Sequence, residues 1–382
     1  MSPDPWHFAR ADLANQYLAF FGTGVSNALI LFQQRRYGKT EFCVQDLAPA
    51  AEAQGFTVVY ANFWQARLAP TAILLYALEK SLEKKPFGVR LREFLTAPVT
   101  KLKLSGELLG GKAEAEFDLA TVAVKGNAEL LLYLADLTER TAKRAKGKLL
   151  LILDEVQELA ESATNEPLVA ALRTILDSHR RTVKVVFTGS SQVGLTRMFS
   201  SAEAPFFHFG TRIDLPPLDQ TFVRHTAQVY QRIARKPLPA ERLRDAFTAL
   251  HGNPYYFRKL VEVMLAQPAL ELAEALKLLH DRIAEEQGFP RLWESIQPID
   301  RAVLMWLARG PAPLFTQAAK AFIGGKIDAP DIVIHTIQAS LRRLKTQHLV
   351  RAHATRGQYA LEDQELGRWC SGILSQPTSR GQ

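Results

Sequence analysis

The chain has 382 residues, 47% of them apolar, which is enough for two or three domains with sizeable cores. Its two cysteines, Cys43 and Cys370, exclude a disulfide framework or a cysteine zinc site. No apolar run reaches membrane-spanning length and the first residues lack a basic-then-apolar leader, so a reduced, cytoplasmic protein without membrane association is expected. The formal charge is +8, and residues 291–360, with ten Lys and Arg against four Asp and Glu, carry +6 of it. A local polyanion-binding surface has this distribution, as do many mildly basic domains with no nucleic-acid partner.

Residues 1–215 read as alternating strands and helices. The strand candidates Ala28–Phe32, Thr57–Ala61, Lys148–Leu153 and Val183–Thr188 are short, apolar runs, as buried parallel strands are. Helical patterns such as Thr40–Gln54 and Pro70–Lys84 separate them, which predicts an α/β layer architecture.

The first strand runs into Gln33-Gln34-Arg35-Arg36-Tyr37-Gly38-Lys39-Thr40. This keeps the end of the phosphate-binding motif G-x-x-x-x-G-K-[ST] but has Gln33 in place of its first Gly. Backbone N–H groups across 34–38 and the start of the next helix would hold phosphate oxygens. Gly38 would let the backbone approach, Lys39 would reach the β- and γ-phosphates, and Thr40 would bind Mg²⁺. Gln33 distorts the loop entrance without removing a phosphate ligand; the alternative is a chance Gly-Lys-Thr in a surface turn.

Residues 99–124 alternate polar and apolar around Gly110-Gly111, a hairpin insertion before a helix at Asn127–Ala145. It serves either as a partner-binding element or as a cover for one face of the core. The strand at 148–153 then ends in Asp154-Glu155, and the carboxyl ends of strands are where open α/β sheets bind ligands. Asp154 would hold Mg²⁺ and Glu155 would polarise the attacking water. The competing reading is a helix cap with a first-turn acid. Lys39 and Asp154 would together grip a triphosphate and its magnesium across neighbouring sheet edges. After the next strand, Ser190 and Ser191 are placed to sense the γ-phosphate, or form an ordinary turn. Arg197 and Arg212 are candidate charge-stabilising fingers.

Pro216-Pro217 marks a boundary. Residues 216–290 read as a helical lid with helices at Gln220–Arg235, Pro239–His251, Pro254–Gln267 and Leu270–Glu286. Residues 291–370 read as helices at Ala302–Ala308, Thr316–Ile323 and Ile332–Gln347, then strands His348–Arg351 and Gln358–Leu361 around Thr355-Arg356-Gly357. Three helices and a β-wing resemble the winged-helix fold. Arg342, Arg343 and Lys345 on the third helix, with His335 and Gln338 earlier on it and Arg356 at the wing tip, are the candidate contacts to double-stranded DNA. With Leu341 and Leu344 inward, the three cations do not share one face. Residues 371–382 are a polar, frayed tail.

The order Arg-Arg-x-Gly-Lys-Thr, Asp154-Glu-Val-Gln157, Thr188-Gly-Ser-Ser191, Met198-Phe199, Pro205-Phe-Phe207, Leu215-Pro-Pro-Leu218 and Gly252-Asn-Pro-Tyr-Tyr256 resembles the archaeal-type ATPase family. That family sits between AAA+ origin-recognition ATPases and STAND signalling NTPases, and the resemblance covers residues 7–275. It implies a P-loop NTPase with a lid. Lys39 and Thr40 would belong to Walker A and Asp154 and Glu155 to Walker B. Ser190 or Ser191 would stand at the sensor-1 position, Pro254 near the adenine, and Phe8-Ala-Arg-Ala-Asp-Leu13 beside the base. Two departures stand out: Gln33 for the first glycine, and His208-Phe209 where the family often has Gly-Arg, which leaves the trans-acting arginine unassigned. The expectation is a slowly hydrolysing, nucleotide-gated, DNA-associated switch that binds ATP and Mg²⁺, alone, as a homo-oligomer or with a partner protein. The alternatives are a STAND-like assembly switch without DNA and a non-hydrolysing nucleotide-binding module.

Overall fold

A computed structural model describes residues 4–65, 67–96, 101–104, 115–118, 127–200, 204–353 and 355–375. The chain divides into two compact units, one of 1–231 with 238–240 and 252–255, the other of 232–237, 241–251 and 256–382.

The first unit is built on a five-stranded sheet. β1 (Ala28–Phe32), β2 (Thr57–Asn62), β5 (Leu149–Asp154), β6 (Val183–Gly189) and β7 (Thr211–Asp214) are all parallel, in the order β2-β5-β6-β1-β7. The expectation that the strands bearing Lys39 and Asp154 are neighbours is corrected, because β6 lies between β1 and β5. The site survives this because the strands end level. Leu31 pairs with Thr188 in register, and Asn62 pairs with Asp154. Every residue of β5 is buried, as an all-apolar strand covered on both faces should be. β7 was not legible as a strand: Thr-Arg-Ile-Asp is four residues long, sits at the sheet edge, and alternates exposed with half-buried positions.

Helices flank the sheet. α1 (Ala11–Gly22) precedes β1, and a helical stretch at 39–53, α2, follows it, with a π-helical turn at Phe42–Leu47. α3 (Pro70–Ser81), α4 (Phe87–Thr96) and α5 (Asn127–Arg144) lie between β2 and β5. Between α4 and α5 come β3 (Lys101–Leu104) and β4 (Ala115–Asp118), an antiparallel pair; the turn expected at Gly110-Gly111 lies outside the described residues. α6 (Glu166–Ser178) and α7 (Gln192–Phe199) flank β6, and α8 (Gln220–Ala234) follows β7.

The second unit is largely helical: α9 (Ala240–Ala249), α10 (Pro254–Ala266, whose first two residues belong to the first unit), α11 (Leu272–Glu286) and α12 (Phe289–Ser295). Then come α13 (Pro298–Leu307), α14 (Gln317–Lys326), α15 (Ile334–Thr346), the antiparallel β8 (Val350–Ala352) and β9 (Tyr359–Leu361), and α16 (Gln364–Ser375). An antiparallel bridge from Ala312 to Tyr359 ties the α13–α14 connection to the wing. This is a winged helix. α15 buries Ile337, Leu341 and Leu344 at helical spacing, each contributing about 1.5–3 kcal/mol. Among the described residues no helix is long and apolar enough to cross a membrane.

Candidate functional site

The loop after β1 turns through two left-handed residues, Arg36 (φ 66°) and Gly38 (φ 82°), before α2 starts at Lys39. Gly38 fits because only glycine adopts that conformation without cost. Gln33 is not among the left-handed positions. Its side chain bridges the loop entrance, donating from Nε2 to Leu215 O (3.2 Å) and accepting from Gln34 N (2.8 Å). The loop is thus closed at its mouth by an amide in place of a bare glycine turn.

Lys39 is buried and folds back over the loop, with Nζ donating to Gln33 O (2.7 Å) and Gln34 O (2.9 Å). Burial lowers its pKa, and the charges of Glu155 and Asp154 oppose that. Arg35 stacks on Trp64 (4.3 Å), Arg67 stacks on the same ring (3.5 Å), and Arg36 lies 4.9 Å from the Tyr255 ring. Pro254, one residue before Tyr255, opens α10 and is half-buried. Tyr37 is half-buried in the loop.

Asp154 ends β5 and is 0% exposed. Its Oδ2 accepts from Thr40 Oγ1 (2.7 Å) and Tyr60 OH (2.9 Å); its Oδ1 accepts from Thr188 Oγ1 and from Glu155 N (3.0 Å). No Lys, Arg or His among the described residues pairs with it. Burial and the Asp154 charge push the Tyr60 phenol far up, so it remains a donor. Glu155 has left-handed backbone (φ 54°) and accepts at Oε2 from Ser190 Oγ (2.7 Å) and Gln157 Nε2 (2.5 Å). The two serines part company. Ser190 reaches Glu155, while Ser191 accepts from Gly194 N (3.1 Å) and caps α7. Arg197 is exposed in the last turn of α7, and Arg212, exposed on the edge strand, lies 5.4 Å from the Phe32 ring.

The sequence reading missed Tyr60, Asn62, Thr188 and Gln157 as partners of this carboxylate pair. Thr188 and Gln157 had a signal, since both stand in the motifs read above; Tyr60 and Asn62 lie on a strand whose order in the sheet no motif declares. Near the start of the chain, the π turn of α2 presents Asp46 to His7 Nε2 (3.0 Å) and Arg10 N (2.9 Å), and Glu41 meets His7 Nδ1 (3.1 Å). Hydrogen bonds to Asp46 and then Glu41 raise the His7 pKa to about 9. Arg10 donates to Pro216 O (2.6 Å), and Phe8 packs edge-on against Phe222 with ring centres 5.8 Å apart.

In the second unit the four proposed DNA contacts are placed differently. Arg343 turns inward and binds Asp300 through Nη2 (2.7 Å) and Nε (3.2 Å), while Ser340 Oγ donates to the same carboxylate (2.5 Å). Asp300 is 3% exposed. Arg343 is therefore engaged in holding α15 to α13. Lys345 lies 4.7 Å from the Tyr359 ring of the wing. Arg342 and Arg356 are exposed, and Arg342 shares its helix face with His335 and Gln338. The helix start exposes Val333 (51%) and Ile334 (41%).

The level strand ends, the loop before α2 and the paired acids define a P-loop NTPase fold with a C-terminal winged helix. No family model and no curated protein matches the sequence. Solved structures do match. The Walker-type ATPase paby2304 of Pyrococcus abyssi is 18% identical, with 96% of each chain covered and a TM-score of 0.59. The ORC2 protein of Aeropyrum pernix in its ADP form is 16% identical over 95% of this chain and 92% of that one, with a TM-score of 0.50. Its ADPNP–ADP complexes give 15% identity, 96% and 93% coverage, and a TM-score of 0.51. The fold is thus the one expected from the resemblance to origin-recognition ATPases.

Proposed function

We propose that the chain binds ATP with Mg²⁺, hydrolyses it slowly, and uses the nucleotide state to gate a DNA-associated switch. The observation that carries the reading is the Asp154 carboxylate, wholly buried, met by the Thr40 hydroxyl of the loop and paired with no Lys, Arg or His among the described residues. A magnesium ion is the cation this donor set fits, one carboxylate and one hydroxyl being what such a site takes from protein when phosphate supplies the rest. Thr40 and Asp154 would hold it, and when bound it neutralises charge on the phosphates. Lys39 leaves the Gln33 and Gln34 carbonyls for phosphate oxygens, and the N–H groups of 34–38 cradle them. Glu155 receives a proton from the attacking water. Pro254 and the Phe8 segment flank the base. Ser191 acts as a helix cap and not as the sensor, which falls to Ser190. Arg197 and Arg212 remain the arginines available to stabilise transferred charge. The two Aeropyrum pernix ORC2 structures carry ADP or ADPNP, which supports the nucleotide part.

ATP titration of the full chain beside Lys39→Ala tests the binding. Binding by the wild type alone is expected, and equal, negligible binding by both removes the reading. Glu155→Gln is expected to keep ATP and lose turnover. For DNA, Arg342 and Arg356 are the contacts, with Lys345 beside the wing; Arg343 is withdrawn from that set by Asp300. Duplex binding at graded salt should weaken steeply, and Arg342→Ala with Arg356→Ala should flatten that slope by about 2.

A second reading has a specific observation behind it. Val333 and Ile334 are exposed at the start of α15, the end of a recognition helix that meets base edges. An apolar start suits a protein partner better than phosphate, and makes the winged helix an assembly module. Salt-insensitive or absent duplex binding favours that reading.

A further inference from the structure

Gln157 is 3% exposed and stands on the short 3-10 turn Val156–Ala160 that follows Glu155. Its Nε2 donates to Glu155 Oε2 (2.5 Å), the oxygen that also accepts from Ser190 Oγ (2.7 Å). Its own Oε1 is buried with no hydrogen-bond partner among the described residues. Two glycines make room for it. A Cβ on Gly189 would lie 2.5 Å from Gln157 Oε1, and one on Gly194 would lie 2.6 Å from Gln157 Cβ. Leaving an amide oxygen unsatisfied in the interior is unfavourable by about 1–3 kcal/mol. A methionine would fill the same space without that cost. Stability alone therefore does not account for an amide at this position.

We infer that Gln157 is a positioning residue for Glu155 and selects Oε1 as the oxygen that takes the proton. The inference rests on the ATPase reading above. Glu155 leaves β5 through a left-handed backbone, so the strand does not fix where its carboxylate points. Side-chain donors must do so. Both of them meet Oε2, and Oε1 has no donor among the described residues. Only the NH₂ end of the amide can face a carboxylate, which fixes the orientation of Gln157 and strands its oxygen against Gly189. In the reaction the water oxygen bonds the γ-phosphorus and the bond from phosphorus to the ADP oxygen breaks. The water proton goes to Glu155 Oε1. Holding Oε2 from two sides removes the side-chain rotations that would carry Oε1 away from the water.

Steady-state ATP turnover and the Kd of a non-hydrolysable ATP analogue, measured on the full chain, test this with Gln157→Met and Gln157→Ala. The methionine variant is expected to lose about tenfold in kcat, part of the roughly 10²–10⁴ that a positioned base supplies. Its KM and analogue Kd should stay within about twofold and its Tm should not fall, because the space remains filled. The alanine variant should show the same kcat loss with a lower Tm. Wild-type kcat in the methionine variant overturns the assignment, as does a gain in kcat, which would make the contact a restraint. A wild type that binds the analogue but does not turn over ATP overturns the hydrolysis reading and this assignment together.

Discussion

Asp154 in the first unit and Asp300 in the second are both buried aspartates, and they are satisfied in opposite ways. Asp300 has a guanidinium: Arg343 binds it through two nitrogens and Ser340 adds a hydroxyl. Asp154 has three hydroxyls, one backbone N–H and the Asn62 amide, and no cation among the described residues. A buried carboxylate paired with a half-exposed guanidinium is electrically complete and serves as a fastening. Among the described residues the Asp154 carboxylate has neutral donors and no paired cation, and Lys39, which feels its charge across the site, is bonded to carbonyls and not to the acid. The same residue type thus makes a joint in one unit and, in the function proposed above, would hold a cation in the other, and the identity of its donors tells them apart.

Replacing the two sides of this contrast should give opposite signatures. Asp154→Asn is expected to lower ATP turnover by roughly 10²–10³, the usual loss when one element of charge stabilisation goes. Its Tm should hold or rise, since an uncompensated buried charge disappears. Arg343→Ala should leave turnover untouched and lose about 1–2 kcal/mol of stability in denaturant melts, because Asp300 loses its cation, a half-exposed one that water already screens in part. If Asp154→Asn destabilises as much as Arg343→Ala, both aspartates are structural and the contrast collapses.

Asp46 is an intermediate case, a buried carboxylate whose cation titrates. Its His7 partner has a folded pKa of about 9, above the ordinary 6.5. The contribution to stability is therefore complete below pH 6.5 and disappears as pH rises through 9. His7→Gln should lower the Tm at pH 6 and have no effect by pH 10. A difference that persists unchanged at pH 10 would show that packing, not charge, holds the segment.

Much of the first unit was legible because its central strands are unbroken apolar runs that stop at the chemistry. Ala28–Phe32 was read with its observed limits, and Lys148–Leu153 was displaced by one residue. Most helices of the second unit follow from their periodicity, but α12 and α16 do not, and the tail expected from residue 371 is corrected, because α16 continues to Ser375. Strand order was not legible, since β5 and β6 are equally apolar and neither says which lies beside β1. Edge strand β7 was hidden by its alternating pattern. Arg343 and Arg342 are adjacent and chemically identical, and only the three-dimensional position of Asp300, 43 residues away, separates a fastener from a surface cation. Gln157 was visible in the motif but its work was not, because the glycines that make room for it, Gly189 and Gly194, come from the next strand and helix.

The smallest effect is expected where the sequence departs most from the motif. A glycine opens a phosphate loop because the chain needs positive φ or close approach there. Here the positive φ values fall at Arg36 and Gly38, and Gln33 instead spans from Leu215 O to Gln34 N. Gln33→Gly should therefore leave the ATP Kd within about twofold and lose about 1 kcal/mol through the broken bonds and the freer unfolded chain. Gly38→Ala is the sharper control. Nothing lies within 4 Å of an added Cβ there, so its cost, about 1–2 kcal/mol, comes from the left-handed backbone alone. It should weaken ATP binding more than Gln33→Gly does. A tenfold gain in ATP affinity on Gln33→Gly would mean that the amide obstructs the loop, and that the phosphate site of this chain is shut until Gln33 moves.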